Sequence, residues 1–154
     1  MIFSGEFDHR IDSQGRVAIP VRFRDAFKPG MVLAEGYERC IDVYTLDEWE
    51  RVANEITGRP STNANRRLAR ARFAGAFAAD LDRQGRVVIP APLREYAGVD
   101  AGAAVIGVGR YLEIWNPERW AGERSTASEQ AADIAEQAAG SARGAAPDFR
   151  DRQS

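Results

Sequence analysis

The chain contains one short sequence twice. Residues 12–20 read DSQGRVAIP, and residues 82–90, which lie 70 positions further on, read DRQGRVVIP. Matches also extend outside this segment, where the first copy has Phe3, Gly5, Phe7 and Arg24 and the second has Phe73, Gly75, Phe77 and Arg94. Such a repeat indicates a duplicated structural unit. Because the copies share a polar turn and an arginine as well as apolar residues, the repeat predicts a protein that presents the same chemical surface twice, as binders of duplex DNA do.

Length and composition favour one folded body. In a chain of 154 residues, two units of about 55–60 residues would each be marginally stable alone, so we expect them to share a core. The residues are 44% hydrophobic and 29% charged, which is typical of a globular protein. No apolar run approaches the roughly 20 residues of a spanning helix, and the N-terminus lacks the pattern of a signal peptide. The sequence therefore predicts a cytoplasmic protein that does not bind membranes.

The sequence lacks the residue patterns that are typical of enzymes and metal sites. Cys40 is the only cysteine and His9 the only histidine, which excludes an intrachain disulfide and a Cys/His zinc site within one chain. Because Ala79 stands in place of His9 in the second copy, a duplicated site cannot use this histidine as an acid or base. Cys40 lies in an apolar strand and is expected to be a packed, unreactive thiol. We therefore predict no enzymatic activity, no catalytic residue, no metal and no cofactor.

The first copy has the pattern of two strands around a tight turn. Apolar and polar residues alternate over residues 7–12 and again over 16–19, which favours a β-hairpin. Asp12 suits the first position of a turn, and Gly15 provides the permissive backbone that the end of the turn needs. After Pro20, the spacing of apolar residues over 21–27 predicts a short helix.

The second copy repeats this order, and both copies continue in the same way. Its predicted elements are a turn over residues 82–86 fixed by Asp82 and Gly85, a strand over 87–89 and a helix over 92–97. Each copy then has two further strands, over 31–34 and 40–44 in the first and over 104–108 and 112–115 in the second. A helix follows each pair, after Thr45 and after Asn116. The predicted fold is mainly β with short helices (α+β), built from two tandem ββαββα units.

The segments outside the two units differ from them in composition. Residues 63–73 contain Arg66, Arg67, Arg70 and Arg72, which predicts a basic helix with either a solvated face or phosphate contacts. The predicted organisation is a first unit over residues 1–56, a loop and basic linker helix over 57–72, a second unit over 73–123, and a flexible or helical C-terminal tail over 124–154.

Arg16 and Arg86 are the strongest candidates for a binding role. Each follows a turn glycine, so its guanidinium can project from a rigid base into a groove. The same spacing also fits an ion pair inside the turn, from Arg16 to Asp12 and from Arg86 to Asp82. Both interpretations can hold together, because a carboxylate leaves further N–H donors of an arginine facing outward. Phosphate contacts, which give affinity without sequence information, are expected from Arg10, Arg22, Arg24, Arg83 and Arg94.

The two copies together resemble the MraZ family. One string of the form D-x-x-G-R-V-x-I-P is similar to an AbrB-like (SpoVT-AbrB) module, and two of them around an LDEW segment at residues 46–49 are more specific. The resemblance covers residues 1–120. It implies a pseudo-twofold double swapped-hairpin β-barrel with helices packed outside. It also implies a bacterial transcriptional regulator of the division and cell-wall gene cluster, associated with the nucleoid.

The resemblance also implies the partners and the residue roles. The partners would be double-stranded DNA, bound at direct repeats in the protein's own promoter, and further copies of the chain in a ring-shaped homo-oligomer. The arginine of the family's D-x-x-x-R motif corresponds to Arg16 and Arg86, with Asp12, Gly15, Asp82 and Gly85 fixing the turns. An AbrB-like antitoxin or protein-interaction module is the alternative, supported by the alanine-rich segment over residues 129–139.

Overall fold

The fold combines two β-sheets and five α-helices within residues 1–145, the part of the chain that the computed structural model describes. The strands are β1 (Glu6–Arg10), β2 (Arg16–Ala18), β3 (Met31–Glu35), β4 (Ile41–Thr45), β5 (Ala76–Ala79), β6 (Arg86–Val88), β7 (Gly102–Gly107) and β8 (Leu112–Trp115). The helices are α1 (Arg24–Phe27), which a 3-10 turn over Val21–Phe23 precedes, α2 (Leu46–Thr57), α3 (Asn63–Ala74), α4 (Ala91–Ala97) and α5 (Pro117–Ala145). The predicted α+β class and the order of elements in each copy are confirmed.

The larger sheet is symmetric under exchange of the two copies. Its strand order is β1-β7-β8-β4-β3-β5, and every neighbouring pair is antiparallel. Strands β1 to β4 of the first copy correspond to β5 to β8 of the second, so that replacing each strand by its counterpart gives the same order in reverse. The centre of symmetry lies between β4 and β8. Within residues 1–145, the second sheet consists of β2 and β6.

The first two strands of each copy pair with strands of the other copy. β1 pairs with β7, and its counterpart β5 pairs with β3. The prediction of a local β-hairpin over residues 7–19 is therefore wrong about the strand pairing, although the turn after Asp12 forms where the sequence predicts it. Alternating apolar residues determine which face of a strand is buried, but they do not determine which strand lies beside it. The hairpins β3–β4 and β7–β8 form as predicted.

Residues of both copies form one hydrophobic core. Val17 and Leu33 from the first copy and Val87 and Ile114 from the second are each at most 1% exposed and belong to the same buried cluster. This cluster lies entirely within the compact unit Met1–Pro117. The expectation that the two copies share a core is confirmed.

Two helices of this unit begin as their sequences predict. The hydroxyl of Thr45 accepts a hydrogen bond from the Glu48 backbone N–H at 3.1 Å, which caps α2, and Thr62 caps α3 by accepting from Asn65 N. Such caps satisfy backbone donors that have no partner within the helix. Helix α4 ends at Gly98, which has a φ of 66° in the left-handed region where glycine is favoured.

The second compact unit begins at Glu118 and consists of α5 in the residues described. The side chains of residues 124–141 are all exposed, and the helix continues to Ala145. The predicted tail over residues 124–154 is therefore helical as far as Ala145, and the prediction for residues 146–154 lies outside the described part. None of the helices within residues 1–145 has an apolar stretch long enough to cross a membrane.

Because the strands pair between copies, we expect neither copy to fold as a monomer. Fragments of residues 1–72 and 73–145 should each give a largely unfolded far-ultraviolet circular dichroism spectrum at concentrations where sedimentation shows a monomer. Sheet signal should return when the two fragments are mixed, or when one fragment associates with a second copy of itself. A monomeric fragment with the sheet content of the intact chain would contradict the crosswise pairing.

Candidate nucleic-acid interface

The small sheet places equivalent residues of the two copies beside each other. Its register is symmetric about one central pair, with the partners Arg16–Val88, Val17–Val87 and Ala18–Arg86. Two further backbone hydrogen bonds extend it in the same symmetric manner, from Ile19 N to Gly85 O at 2.9 Å and from Ile89 N to Gly15 O at 2.8 Å. The approximate twofold axis of the small sheet therefore passes between Val17 and Val87.

The small sheet has one buried face and one face that is at least partly exposed. Val17 and Val87 are buried, and because strand side chains alternate, the residues on either side of them point outward. We call this outward face, formed by Arg16, Ala18, Arg86 and Val88, the arginine ribbon. Arg16 and Arg86 are diagonal neighbours across the two strands, a relation that places residues about 7–8 Å apart. The fold thus brings the two arginines of the repeat together on one surface.

The turn before each arginine is organised by an aspartate. The Oδ1 atom of Asp12 accepts hydrogen bonds from the backbone N–H groups of Gln14 and Arg16, both at 2.9 Å. Gly15 closes the turn with a φ of 78°, a conformation that glycine adopts without a steric penalty. The second turn has the same geometry, with distances of 2.9 Å from Gln84 N and Arg86 N to Asp82 Oδ1 and a φ of 77° at Gly85.

The same aspartates hold the guanidinium groups. Arg16 Nε lies 2.7 Å from Asp12 Oδ2, and Arg86 Nε lies 3.0 Å from Asp82 Oδ2. Asp12 also contacts the other copy, since Arg86 Nη1 lies 3.6 Å from its Oδ2 atom. The side chains of Arg16 and Arg86 stay 29% and 28% exposed. The ion pair inside the turn therefore forms as one interpretation of the sequence predicts, and it leaves part of each arginine side chain exposed.

These hydrogen bonds favour the charged form of both carboxylates. The backbone N–H of Arg16, joined by its guanidinium and by Gln14 N, lowers the pKa of Asp12 below its ordinary value. The backbone N–H of Arg86 has the same effect on the pKa of Asp82. Both aspartates are ionised at neutral pH, so each carboxylate acts as a fixed acceptor that orients its arginine.

Arg24 and Arg94 each cover the turn glycine of the opposite copy. A Cβ atom added to Gly85 would overlap the Nε, Cζ and Cδ atoms of Arg24, and one added to Gly15 would lie 3.0 Å from Arg94 Cζ. Arg24 Nε donates to the carbonyl oxygen of Ile19 at 2.9 Å. Within residues 1–145, Arg94 Nε is buried and has no hydrogen-bond partner. Both turns favour glycine because of their positive φ, and a Cβ at Gly85 would in addition push the Arg24 side chain away from the turn.

The other predicted phosphate-binding arginines, Arg10, Arg22 and Arg83, are exposed. Arg10 is exposed at the end of β1, and Arg83 is exposed in the second turn. The exposed Arg22 stacks on aromatic rings, with its Cζ atom 5.1 Å from the Phe7 ring centroid. No sequence pattern marks Lys28 as a site residue, but it lines a cleft of about 220 Å³ together with Arg24, Arg83, Asp82, Gly85 and Leu81. Lys28 becomes a candidate for DNA contact because the second turn packs close to the end of α1 in the folded chain.

Arg72 lies in a separate, buried polar cluster. Its side chain is 4% exposed, and its guanidinium donates to the Glu35 carbonyl, to Tyr44 Oη at 2.8 Å and to Asp42 Oδ2 at 3.5 Å. The prediction of a solvated or phosphate-binding face is therefore wrong for Arg72. For Arg66, Arg67 and Arg70 the structure shows exposed side chains. The sequence predicts that Arg72 lies on a helix. It does not show that this part of the helix packs against β4, where Arg72 meets Asp42.

The single cysteine and the single histidine lie outside the arginine ribbon. Cys40 is buried, and burial together with Glu113 and Asp42 raises the pKa of its thiol, so the thiol stays protonated and unreactive. Its Sγ lies 3.6 Å from Glu113 Oε2 and 3.8 Å from Asp42 Oδ1. Partial burial and the charge of Arg24 lower the pKa of His9, which favours the neutral imidazole at pH 7.

The fold and the site define a class of protein in which two tandem copies of one unit pair crosswise and present paired arginines on a two-stranded ribbon. A family model described as "MraZ protein, putative antitoxin-like" matches the chain twice, over residues 2–71 and 72–141. Since these two matches cover most of the sequence, the chain belongs to the MraZ family.

Relatives of the chain carry the same family name. The transcriptional regulator MraZ of Thermomicrobium roseum is 41% identical over 142 residues, which cover 90% of this chain and 98% of that protein. The protein of the same name from Dehalococcoides mccartyi is 44% identical over 137 residues, covering 88% of this chain and 96% of the relative. That from Roseiflexus castenholzii is 43% identical over 120 residues, covering 77% and 84%.

Replacing Gly85 by alanine should destabilise the fold more than replacing Gly15. A left-handed backbone costs a residue with a Cβ about 1–2 kcal/mol, and at Gly85 the new atom would also displace Arg24 from its contact with Ile19. Gly122→Ala is the control, because a Cβ there meets nothing within 4 Å. Chemical denaturation of the three variants should give the order Gly85→Ala least stable, then Gly15→Ala, then Gly122→Ala. Equal stability of Gly85→Ala and Gly15→Ala would show that the closer contact between Arg24 and Gly85 adds no cost to that of the left-handed backbone.

Proposed function

We propose that this protein is a transcriptional regulator that binds specific sequences of double-stranded DNA and has no enzymatic activity. The observation that carries the proposal is the arginine ribbon, where Arg16 and Arg86 are partly exposed and held by aspartates at symmetric positions. The relatives described above are named transcriptional regulators, which supports the same function.

A two-stranded ribbon with outward-facing arginines is a suitable shape for the major groove of DNA. This groove is about 12 Å wide and admits a two-stranded β-ribbon. An arginine that reaches the edge of a guanine can donate to O6 and N7 at the same time, which is the commonest specific contact to a base. In each ribbon arginine, the hydrogen bond from Nε to the turn aspartate fixes the orientation of the guanidinium. We assign the contact with the base to the Nη groups of the same arginine.

Contacts with the phosphate backbone complete the proposed interface. We assign them to Arg10, Arg22 and Arg83, which are exposed. Arg24 and Arg94 are half-buried behind the turns, and we propose that they support the turns while their Nη groups face the backbone. Phosphate contacts position a protein on the duplex but carry no sequence information, so we attribute specificity to Arg16 and Arg86.

The family resemblance extends the proposal to the target and the assembly. We propose that the protein binds direct repeats in its own promoter, upstream of the division and cell-wall gene cluster, and associates with the nucleoid in the cytoplasm. We also propose that the two sheets form the double swapped-hairpin barrel of the family, which the pairings β1–β7, β2–β6 and β3–β5 support. In a ring-shaped homo-oligomer, each of several barrels would bind one repeat of the DNA. Because the barrels are joined, binding of the first raises the effective concentration of the others at the remaining repeats.

Removing either ribbon arginine should weaken binding to the promoter. One bidentate contact to guanine contributes about 1–3 kcal/mol, so Arg16→Ala and Arg86→Ala should each reduce affinity roughly 5- to 150-fold. Arg51→Ala is a matched control, because Arg51 is a partly exposed arginine held by Glu48 and Glu55 on α2. Gel-shift titrations on a promoter duplex should show loss of affinity for the ribbon variants alone. Wild-type affinity in both ribbon variants would exclude the arginines from the interface.

The dependence of affinity on salt tests the phosphate contacts separately. Because each neutralised phosphate releases counterions, the logarithm of the binding constant should fall linearly with the logarithm of the salt concentration. Arg83→Ala should make this slope shallower and weaken binding to all sequences alike. A response to salt that is flat in the wild type would argue against phosphate contacts.

An antitoxin-like protein that uses its C-terminal segment to bind a partner protein is the second candidate, favoured by the exposed residues 124–141 of the long helix α5. Deleting residues 125–154 separates the two functions, because the arginine ribbon lies wholly within Met1–Pro117. A DNA-binding regulator should retain the intrinsic affinity of each ribbon for a duplex with a single repeat. Loss of all duplex binding in this truncated chain, with the fold of residues 1–117 intact by circular dichroism, would favour a function that depends on α5.

A further inference from the structure

Val88 is an exposed apolar residue on the same face as the two ribbon arginines. It is 53% exposed, and it lies directly opposite Arg16 on the arginine ribbon, two positions after Arg86. Its neighbours Val87 and Ile89 are at most 1% exposed, so the backbone that carries Val88 is anchored in the core. The branched Cβ of valine restricts rotation about χ1. The two methyl groups of Val88 therefore occupy a limited range of positions on the outward face.

The first copy has a smaller residue at the same place. Ala18 is the counterpart of Val88 and lies opposite Arg86. The ribbon thus has two symmetric arginines but only one branched apolar side chain. Single exposed apolar residues are common on protein surfaces, but Val88 shares its face with both arginines to which we assign base contacts.

We infer that Val88 contacts the C5 methyl group of a thymine in the major groove, next to the base pair that Arg16 contacts. The inference rests on the proposed function and assigns a second, apolar specificity to the same site. The thymine methyl projects into the major groove, and apolar side chains distinguish it there from the other bases. Because Cβ atoms of directly opposite residues on two strands lie about 4.5–5.5 Å apart, a base contact by Arg16 brings Val88 close to a neighbouring base pair.

The asymmetry of the ribbon predicts an asymmetric target. One half of the DNA target would contact Arg16 and Val88, and the other half would contact Arg86 and Ala18. A thymine methyl should therefore contribute more to binding in the half-site that faces Arg16 and Val88 than in the half-site that faces Arg86 and Ala18.

A duplex without thymine methyl groups tests the contact. A promoter fragment amplified with deoxyuridine triphosphate in place of thymidine triphosphate has the same base pairing but lacks every C5 methyl. Burial of one methyl contributes about fourfold in affinity, so the wild type should bind the thymine duplex about fourfold more tightly than the uracil duplex. Val88→Ala should bind the two duplexes with nearly equal affinity.

Two variants control for effects unrelated to this contact. Val21→Ala removes the same atoms from a valine that is 74% exposed and lies outside the ribbon, and it should keep the wild-type preference for the thymine duplex. Ala18→Val adds methyl groups at the symmetric position and should increase that preference.

The outcomes separate this inference from the proposed function. If the wild type binds both duplexes equally, or if Val88→Ala keeps the wild-type preference, the contact between Val88 and thymine is refuted while DNA binding stands. If Val88→Ala instead changes the mass of the assembly in light scattering and leaves the preference unchanged, the residue belongs to a contact between copies and the inference is also refuted. If neither duplex is bound by the wild type, both the inference and the proposed function fail.

Discussion

The pairing of β2 with β6 is the constraint on which the candidate site depends. It joins Val17 to Val87 at the centre of the small sheet, where both side chains enter the common core. Strand alternation then directs Arg16 and Arg86 outward on the same face. A local hairpin within each copy would bury the same valines, but it would not make the two arginines diagonal neighbours. Crosswise pairing is therefore what turns a duplicated sequence into one surface with two guanidinium groups.

The turns are held by contacts within each copy and between the copies. Asp12 and Asp82 fix their own turns, and Asp12 also reaches Arg86. Arg24 lies against Gly85, and Arg94 lies against Gly15. Because each turn is packed against an arginine of the opposite copy, a change in one copy alters the support of the other turn. The arginines behind the turns are thus part of the structure that positions the arginines on the ribbon.

The sequence predicted local features well because neighbouring residues determine them. The D-x-x-G-R spacing predicted both turns, and Thr45 predicted the start of α2, since hydrogen bonds between residues two to four positions apart create these features. The sequence did not predict which strand pairs with β1. It also did not predict that Arg72 is buried, because Arg72 bonds to Tyr44 and Asp42, which lie 28 and 30 positions away along the chain. The crosswise packing of Arg24 and Arg94 was also missed. Their equivalence is visible in the repeat, but their contacts depend on how the strands of the two copies pair.

Joining two copies in one chain allows them to diverge while the shared core keeps its symmetry. The first copy has Arg10 where the second has Asp80, and the second has Arg83 where the first has Ser13. Basic charge therefore lies before the turn in one copy and within the turn in the other. A dimer of identical chains could not carry these differences, because any substitution would appear on both sides of its axis. The repeated pattern of aspartate, glycine and arginine gives the two turns the same geometry. The residues that differ around each turn give the two halves of the surface different charges.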